Sequence, residues 1–175
     1  EASPMMETTV HLVEKLTKQY SIDTDRLYTT GQSGGCMMSI AMMIGYPDLF
    51  AAAYLVAGQW NPDLVAPLAD KKLWITVSAD DLGAFPGENA ITERLAKDGA
   101  KISRAIWDAG WSADMYRFAY DAIVAEGSPI NYTVFAPGTV FLPGADTAGA
   151  SGHRNTWRVA YSIEPIREWL FEQHK

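Results

Sequence analysis

Apolar side chains at Met6, Val10, Val13, Leu16 and Tyr20 recur every three or four positions, which gathers them on one face of a helix. Ser3-Pro4 supplies an N-cap and a proline at the first helical position. Glu7, His11, Glu14, Lys15 and Lys18 fall on the other side, so His11 reads as a solvated surface residue. A polar turn over 21–25 then delivers the chain to a short β-type run, Arg26 to Thr30, that breaks at a glycine.

Beyond that break, a helical apolar segment from Gly34 to about Ile44 is stopped by Gly45-Tyr46-Pro47-Asp48. Phe50 to Gly58 is continuously apolar at strand length, as expected of a strand covered on both faces of a parallel sheet, and Lys72 to Ser78 is the next strand. A loop through Gly83, Pro86 and Gly87 precedes a helix expected over 89–98, with Ile91, Leu95 and Ala96 inward and Gly99 closing it. A strand over 102–107, a helix over 113–126 carrying Met115, Phe118, Ala119 and Ala122, and a strand over 131–136 follow. Residues 137–152, rich in Gly, Pro, Ala and Asp, read as a loop, and Ile166, Trp169 and Leu170 mark a terminal helix from Pro165. This alternation predicts an α/β fold, a mostly parallel sheet flanked by helices. With no internal repeat or low-complexity linker, it predicts one domain over residues 1–175.

The break itself carries chemistry. Gly31-Gln32-Ser33-Gly34-Gly35 sits where a strand passes into a helix and reads as a nucleophile elbow. A serine hydroxyl reaches a carbonyl only if it stands clear of its own backbone, and a tight strained turn achieves this, with Gly31 and Gly35 leaving the turn uncrowded. The following helix would aim its free N–H groups and positive dipole end at the place where an oxyanion forms, making the N–H of Gly34 the first oxyanion donor.

A serine also needs a base and a group that orients the base. Of the three histidines, His11 lies on a polar helix face and His174 at the chain's end, which leaves His153 in the loop after the last strand. Asp80 and Asp81 follow the strand ending at Ser78, where a carboxylate can orient an imidazole; Asp81 is favoured, with Asp80 and Asp146 as alternatives. Gln32, next to the serine, and Trp60, at the carboxyl end of the strand over 50–58, are candidate substrate contacts, although Trp60 also fits a core or rim aromatic.

Composition narrows the ligand. The net charge of −7 and the lack of any basic run argue against a nucleic acid or an anionic membrane surface and point to a neutral or small ligand. Cys36 is the single cysteine, so it cannot form an internal disulfide and reads as a core residue. The sequence offers no cysteine–histidine cluster at zinc spacing and no phosphate-cradling glycine motif, so no metal or other cofactor is expected. The apolar stretch around Ile40 to Ile44 is too short for a membrane span. Glu1 is not a natural start, which leaves room for a targeting segment upstream. Oligomeric state has no signature in the sequence.

Gly31 to Gly35, the segment Tyr46-Pro47-Asp48-Leu49-Phe50-Ala51-Ala52, the stretch from Trp74 to Asp81, and His153 to Tyr161 followed by Trp169-Leu170-Phe171 together resemble the α/β-hydrolase superfamily. Within it they are similar to the branch of secreted esterases and predicted peptidases near the polyhydroxybutyrate depolymerases and feruloyl esterases. The order Ser33, acid, His153 is the order of that superfamily. The resemblance spans nearly the whole chain. It implies a carboxylic-ester hydrolase working through an acyl-enzyme on small or medium acyl esters, with Ser33 as nucleophile, His153 as base, Asp81 as acid and Gly34 as oxyanion donor, in a secreted or extracellular protein. A serine peptidase is the alternative among enzymes, and a non-catalytic ligand-binding relative the alternative outside them. Two departures stand out: relatives commonly carry Met where this chain has Gly34, and no His-Gly-type loop precedes Ser33. The family's early strands and second oxyanion loop normally come before the helix that opens this chain, so the chain is expected to hold the C-terminal two-thirds of a complete domain, without its N-terminal strands.

Overall fold

A computed structural model describes residues 3–175, so the expectation attached to Glu1 lies outside the described residues. The first helix, α1 (Pro4–Gln19), starts where Ser3 Oγ accepts the N–H of Met6 at 3.3 Å, and it buries Met6 and Val10. Tyr20, expected on that apolar face, is exposed, because the helix stops at Gln19 and Tyr20 is already extended.

Five strands follow: β1 (Tyr28–Gln32), β2 (Ala52–Val56), β3 (Leu73–Ser78), β4 (Ile102–Trp107) and β5 (Ile130–Phe135). All neighbours are parallel, in the order β1-β2-β3-β5-β4, with Thr30 beside Tyr54, Leu55 beside Ile75 and Ile75 beside Tyr132. Every residue of β2 and β3 is buried, which is why those stretches read as unbroken apolar runs. The helices are α2 (Gly34–Gly45), α3 (Ala84–Lys97), α4 (Ala113–Val124), α5 (Ser151–Ala160) and α6 (Glu164–Glu172). The chain advances through β1, β2 and β3, passes on to β4 at the edge, and doubles back to β5. Right-handed crossovers then require α4 to lie on the face opposite α2 and α3. Accordingly, α2 and α3 pack on the short turns over 62–64 and 66–68, and α4 packs on α6.

Aromatic side chains fill the layer under α4 and α6. Trp74 of β3 is fully buried, stacked on Tyr120 of α4 with ring centroids 5.6 Å apart and edge-on to Trp169 of α6 at 5.4 Å. Its indole N–H donates to Thr133 Oγ1 at 3.1 Å, so the ring is buried with its polar atom satisfied.

This layer explains one departure from the pattern. The helix α4 turns Tyr116, Tyr120 and Ile123 inward and leaves Met115 and Phe118 outside. The tyrosines reach the tryptophans of β3 and β4 that Met115 and Phe118 cannot. A second departure is α3, which begins at Ala84 rather than near Asn89 and takes in Pro86 and Gly87. Proline is tolerated in a first turn because its missing N–H has no partner to lose there. No helix among the described residues is long and apolar enough to cross a membrane.

Candidate active site

Ser33 stands between β1 and α2 with φ 53° and ψ −118°, in the left-handed half of backbone space that a non-glycine residue occupies only at a cost. Two bonds hold it there: its N–H donates to the carbonyl of Val56 at 3.0 Å, and its own carbonyl accepts from Met37 N–H at 3.0 Å. The two glycines of the turn differ in role. A Cβ on Gly31 would lie 2.2 Å from the carbonyl carbon of Gly35, whereas one on Gly35 or on Gly34 would meet nothing within 4 Å. Gly31 is therefore what lets the strand press against the start of α2. The position of Gly34 is open enough to take a Cβ.

His153 does not lie in a loop as the sequence suggests; it sits in the first turn of α5, which begins at Ser151. Small residues around it gave no helical pattern, and tertiary contact decides the matter. A Cβ on Gly152 would come within 2.4 Å of the Asp80 carbonyl oxygen, so the helix start lies directly on the loop that follows β3. Thr156 Oγ1 donates to the Gly152 carbonyl at 2.8 Å, and Thr156, Val159 and Ala160 are buried.

The three separated segments meet at one point. His153 Nε2 lies 2.9 Å from Ser33 Oγ, and its Nδ1 is hydrogen-bonded to Asp81 Oδ2. Asp81 is 4% exposed. Its other oxygen, Oδ1, accepts the N–H groups of Gly83 at 3.2 Å and Ala84 at 2.9 Å, which leaves Oδ2 to the imidazole. Asp80 faces elsewhere: its Oδ2 accepts from Gly138 N–H at 2.7 Å. Asp146 is exposed and accepts from Ala148 N–H within its own loop. Trp157 packs edge-on to the imidazole at 5.2 Å, adding an apolar wall to its far side.

A cleft of about 380 Å³ opens over this point, lined among others by Ser33, Met37, Ala57, Gln59, Leu82 and His153. Gln32 and Trp60 are not part of its lining. Trp60 instead lines a neighbouring apolar groove beside Gly34 and Met37, with its indole N–H buried and unpartnered. Sequence reasoning passed over Met37, Leu82 and Gln59. The signal for Gln59 was present, since it follows β2 at the carboxyl end of the sheet. Also passed over was Glu88, buried in α3 directly beneath the cleft wall. It falls in one stripe with Ile91, Thr92 and Leu95, which a helix over 84–97 would have revealed. Among the described residues, no group of three or more His, Cys, Asp or Glu side chains is arranged to hold a metal ion.

The elbow, the doubled-back parallel sheet and the side chains converging at its carboxyl edge define an α/β-hydrolase. Its fold is that of a crystal structure of a thermostable esterase, matched with a TM-score of 0.74 at 23% identity over 100% of this chain and 38% of the other. The chain belongs to the prolyl oligopeptidase family, whose profile matches residues 5–96. It is also 26% identical over 152 residues to a probable acetylxylan esterase A of Aspergillus flavus and to acetylxylan esterase A of Aspergillus oryzae, covering 84% of this chain and 48% of each relative. A shorter stretch of 47 residues, 27% of this chain and 11% of the relative, is 43% identical to poly(3-hydroxyalkanoate) depolymerase C of Paucimonas lemoignei. These likenesses belong to the esterase branch of the α/β-hydrolases. The chain thus spans about half the length of the acetylxylan esterases it matches.

Proposed function

We propose that the protein is a serine carboxylic-ester hydrolase acting on small or medium acyl esters, with Ser33 as nucleophile, His153 as base and Asp81 as the acid that orients it. The observation that carries this reading is the unbroken hydrogen-bonded series from Ser33 Oγ through the imidazole to a buried carboxylate at a strained elbow. Ser33 Oγ attacks the ester carbonyl carbon as its proton passes to His153 Nε2. Asp81, accepting from Nδ1–H, favours the tautomer with a free Nε2 lone pair and stabilises the imidazolium. The N–H of Gly34, at the start of α2, faces the oxyanion. The imidazolium then protonates the departing alkoxide, leaving an acyl-serine. Water, deprotonated by His153, attacks that ester, and the carboxylic acid leaves as Ser33 recovers its proton.

The cleft volume suits a short acyl or alcohol group, and the likeness to acetylxylan esterases agrees with that size. The prolyl oligopeptidase family match favours a second reading, a serine peptidase, since the same groups cleave an amide if the leaving amine is protonated. Turnover by the full-length protein of p-nitrophenyl acetate and butyrate beside a panel of peptide amides separates the two. Ester hydrolysis with silent amides is the expected result. A fluorophosphonate should label Ser33 and fail to do so after His153→Ala; a full-length protein that neither labels nor hydrolyses would return the chain to a ligand-binding role.

A further inference from the structure

Beneath the cleft lies a carboxyl group that the chemistry above does not use. Glu88, on α3, is 1% exposed. Its Oε1 accepts the N–H of Gly58 at 2.8 Å, and its Oε2 has no partner. Gly58 follows Ala57, which, with Ser33, is one of two non-glycine residues with positive φ among those described, at 50°. A left-handed alanine is disfavoured by about 1–2 kcal/mol and persists only where its neighbours hold it.

The turn is held from three sides. Ala57 N–H donates to Thr76 O of β3 at 2.9 Å, and Gly58 N–H donates to Glu88. A Cβ on Gly58 would fall 2.3 Å from Cys36 Sγ, so the turn is packed against the first turn of α2. The residue just before the turn, Val56, gives its carbonyl to the N–H of Ser33. Ala57, Gly58 and Gln59 all line the cleft. Whatever fixes this turn thus fixes both a wall of the cleft and the bond that holds the serine's backbone.

We propose that Glu88 is a positioning residue of the active site, its carboxyl clamping the strained Ala57–Gly58 turn that walls the cleft beside Ser33. This rests on the esterase reading for its kinetic consequence and on geometry alone for the clamp. Burial pushes the Glu88 carboxyl well above the usual carboxylate range; the Gly58 bond opposes the rise and the charge of Asp81 adds to it. What the turn draws from the group is an acceptor oxygen, which the carboxyl supplies with or without its proton. A buried acid that served no donor would be replaced by leucine with little loss, since no group would be left unpaired. Here leucine would strand the Gly58 N–H, whereas glutamine keeps the acceptor.

The test compares wild type, Glu88→Gln and Glu88→Leu in the full-length protein by kcat and KM on p-nitrophenyl butyrate and by hydrogen exchange of the Gly58 amide. Glu88→Gln is expected to stay within about threefold of wild type in kcat/KM and to keep the amide protected. Glu88→Leu is expected to lose about 10- to 100-fold, as a misplaced wall and elbow would, and to exchange the Gly58 amide at least about tenfold faster while core amides stay protected. If Glu88→Leu fails to fold, Glu88→Asp, one methylene too short to reach Gly58, replaces it. Full activity in the leucine or aspartate variant, or an equal loss in Glu88→Gln, overturns the proposal. Should the wild type show no hydrolysis and no fluorophosphonate labelling, the esterase reading fails by itself. The exchange comparison then still decides the clamp: unchanged Gly58 protection in Glu88→Leu overturns it, and selective loss supports it.

Discussion

Asp81 divides its two oxygens between the N–H groups that open α3 and the imidazole of His153. An amide in its place could turn its NH₂ toward the ring and hold the wrong tautomer. Asp81→Asn is therefore expected to lower kcat by about 10³–10⁴, while Asp80→Asn, whose carboxylate serves Gly138, stays within a few fold, as steady-state kinetics on one ester would register. Gly34 offers a milder probe: with nothing within 4 Å of a Cβ there, Gly34→Ala should raise stability by about 0.5–1 kcal/mol in urea unfolding and leave a backbone donor intact. The meeting of Ser33, His153 and an aspartate was legible in the sequence because few histidines competed and the elbow motif fixed the frame. Gln32 lies outside the lining of the cleft, since proximity in the chain says nothing about which way a strand residue turns. Glu88 was missed because a buried acid without a charge partner has nothing in the sequence to advertise it.

Strand and helix order came through cleanly wherever burial on two faces produced long apolar runs, as in β2 and β3. The starts of α3 and α5 did not, because these helices begin among Gly, Pro, Ala and Ser, where contact with the loop after β3 overrides local preference. The rotation of α4 was illegible for the same kind of reason: tyrosine looks amphipathic in sequence, and only the tryptophans beneath it settle which way it faces. Two substitutions test these element contacts. Gly31→Ala drives a Cβ into the backbone of Gly35 and should destabilise by about 1–3 kcal/mol or more, with lost esterase activity even in the folded fraction. Trp74→Ala should cost about 3–5 kcal/mol, lowering the thermal midpoint while the folded enzyme keeps its kcat.

Across the whole molecule, the buried acid in α3 leaves a signature on stability. Its ordinary value is 4.5, and burial holds it well above that in the folded state. Below the ordinary value both states carry the proton and stability is full. As pH rises past it, only the unfolded chain releases that proton, so this group's contribution falls by about 1.4 kcal/mol per pH unit until the folded group ionises. The titratable groups that feel its charge or add to it are Asp81, Cys36, Tyr54 and Tyr132, none of them a cation that could reverse the sign. Glu88→Gln should remove that slope, so that its advantage over wild type in urea unfolding grows as pH rises above the ordinary carboxyl value; parallel curves would contradict the burial argument. The imidazole, finally, rides on a helix whose start is seated on the Asp80 backbone, while the connection over 138–149 runs mostly exposed to the rim of the cleft. Shape and position are thereby mechanically uncoupled: Phe141, Leu142, Pro143 and Thr147 line a groove that adjoins the cleft through Asp80, Leu82 and Gly149, so insertions or deletions between 141 and 147 would reshape that groove while the imidazole stays where it is.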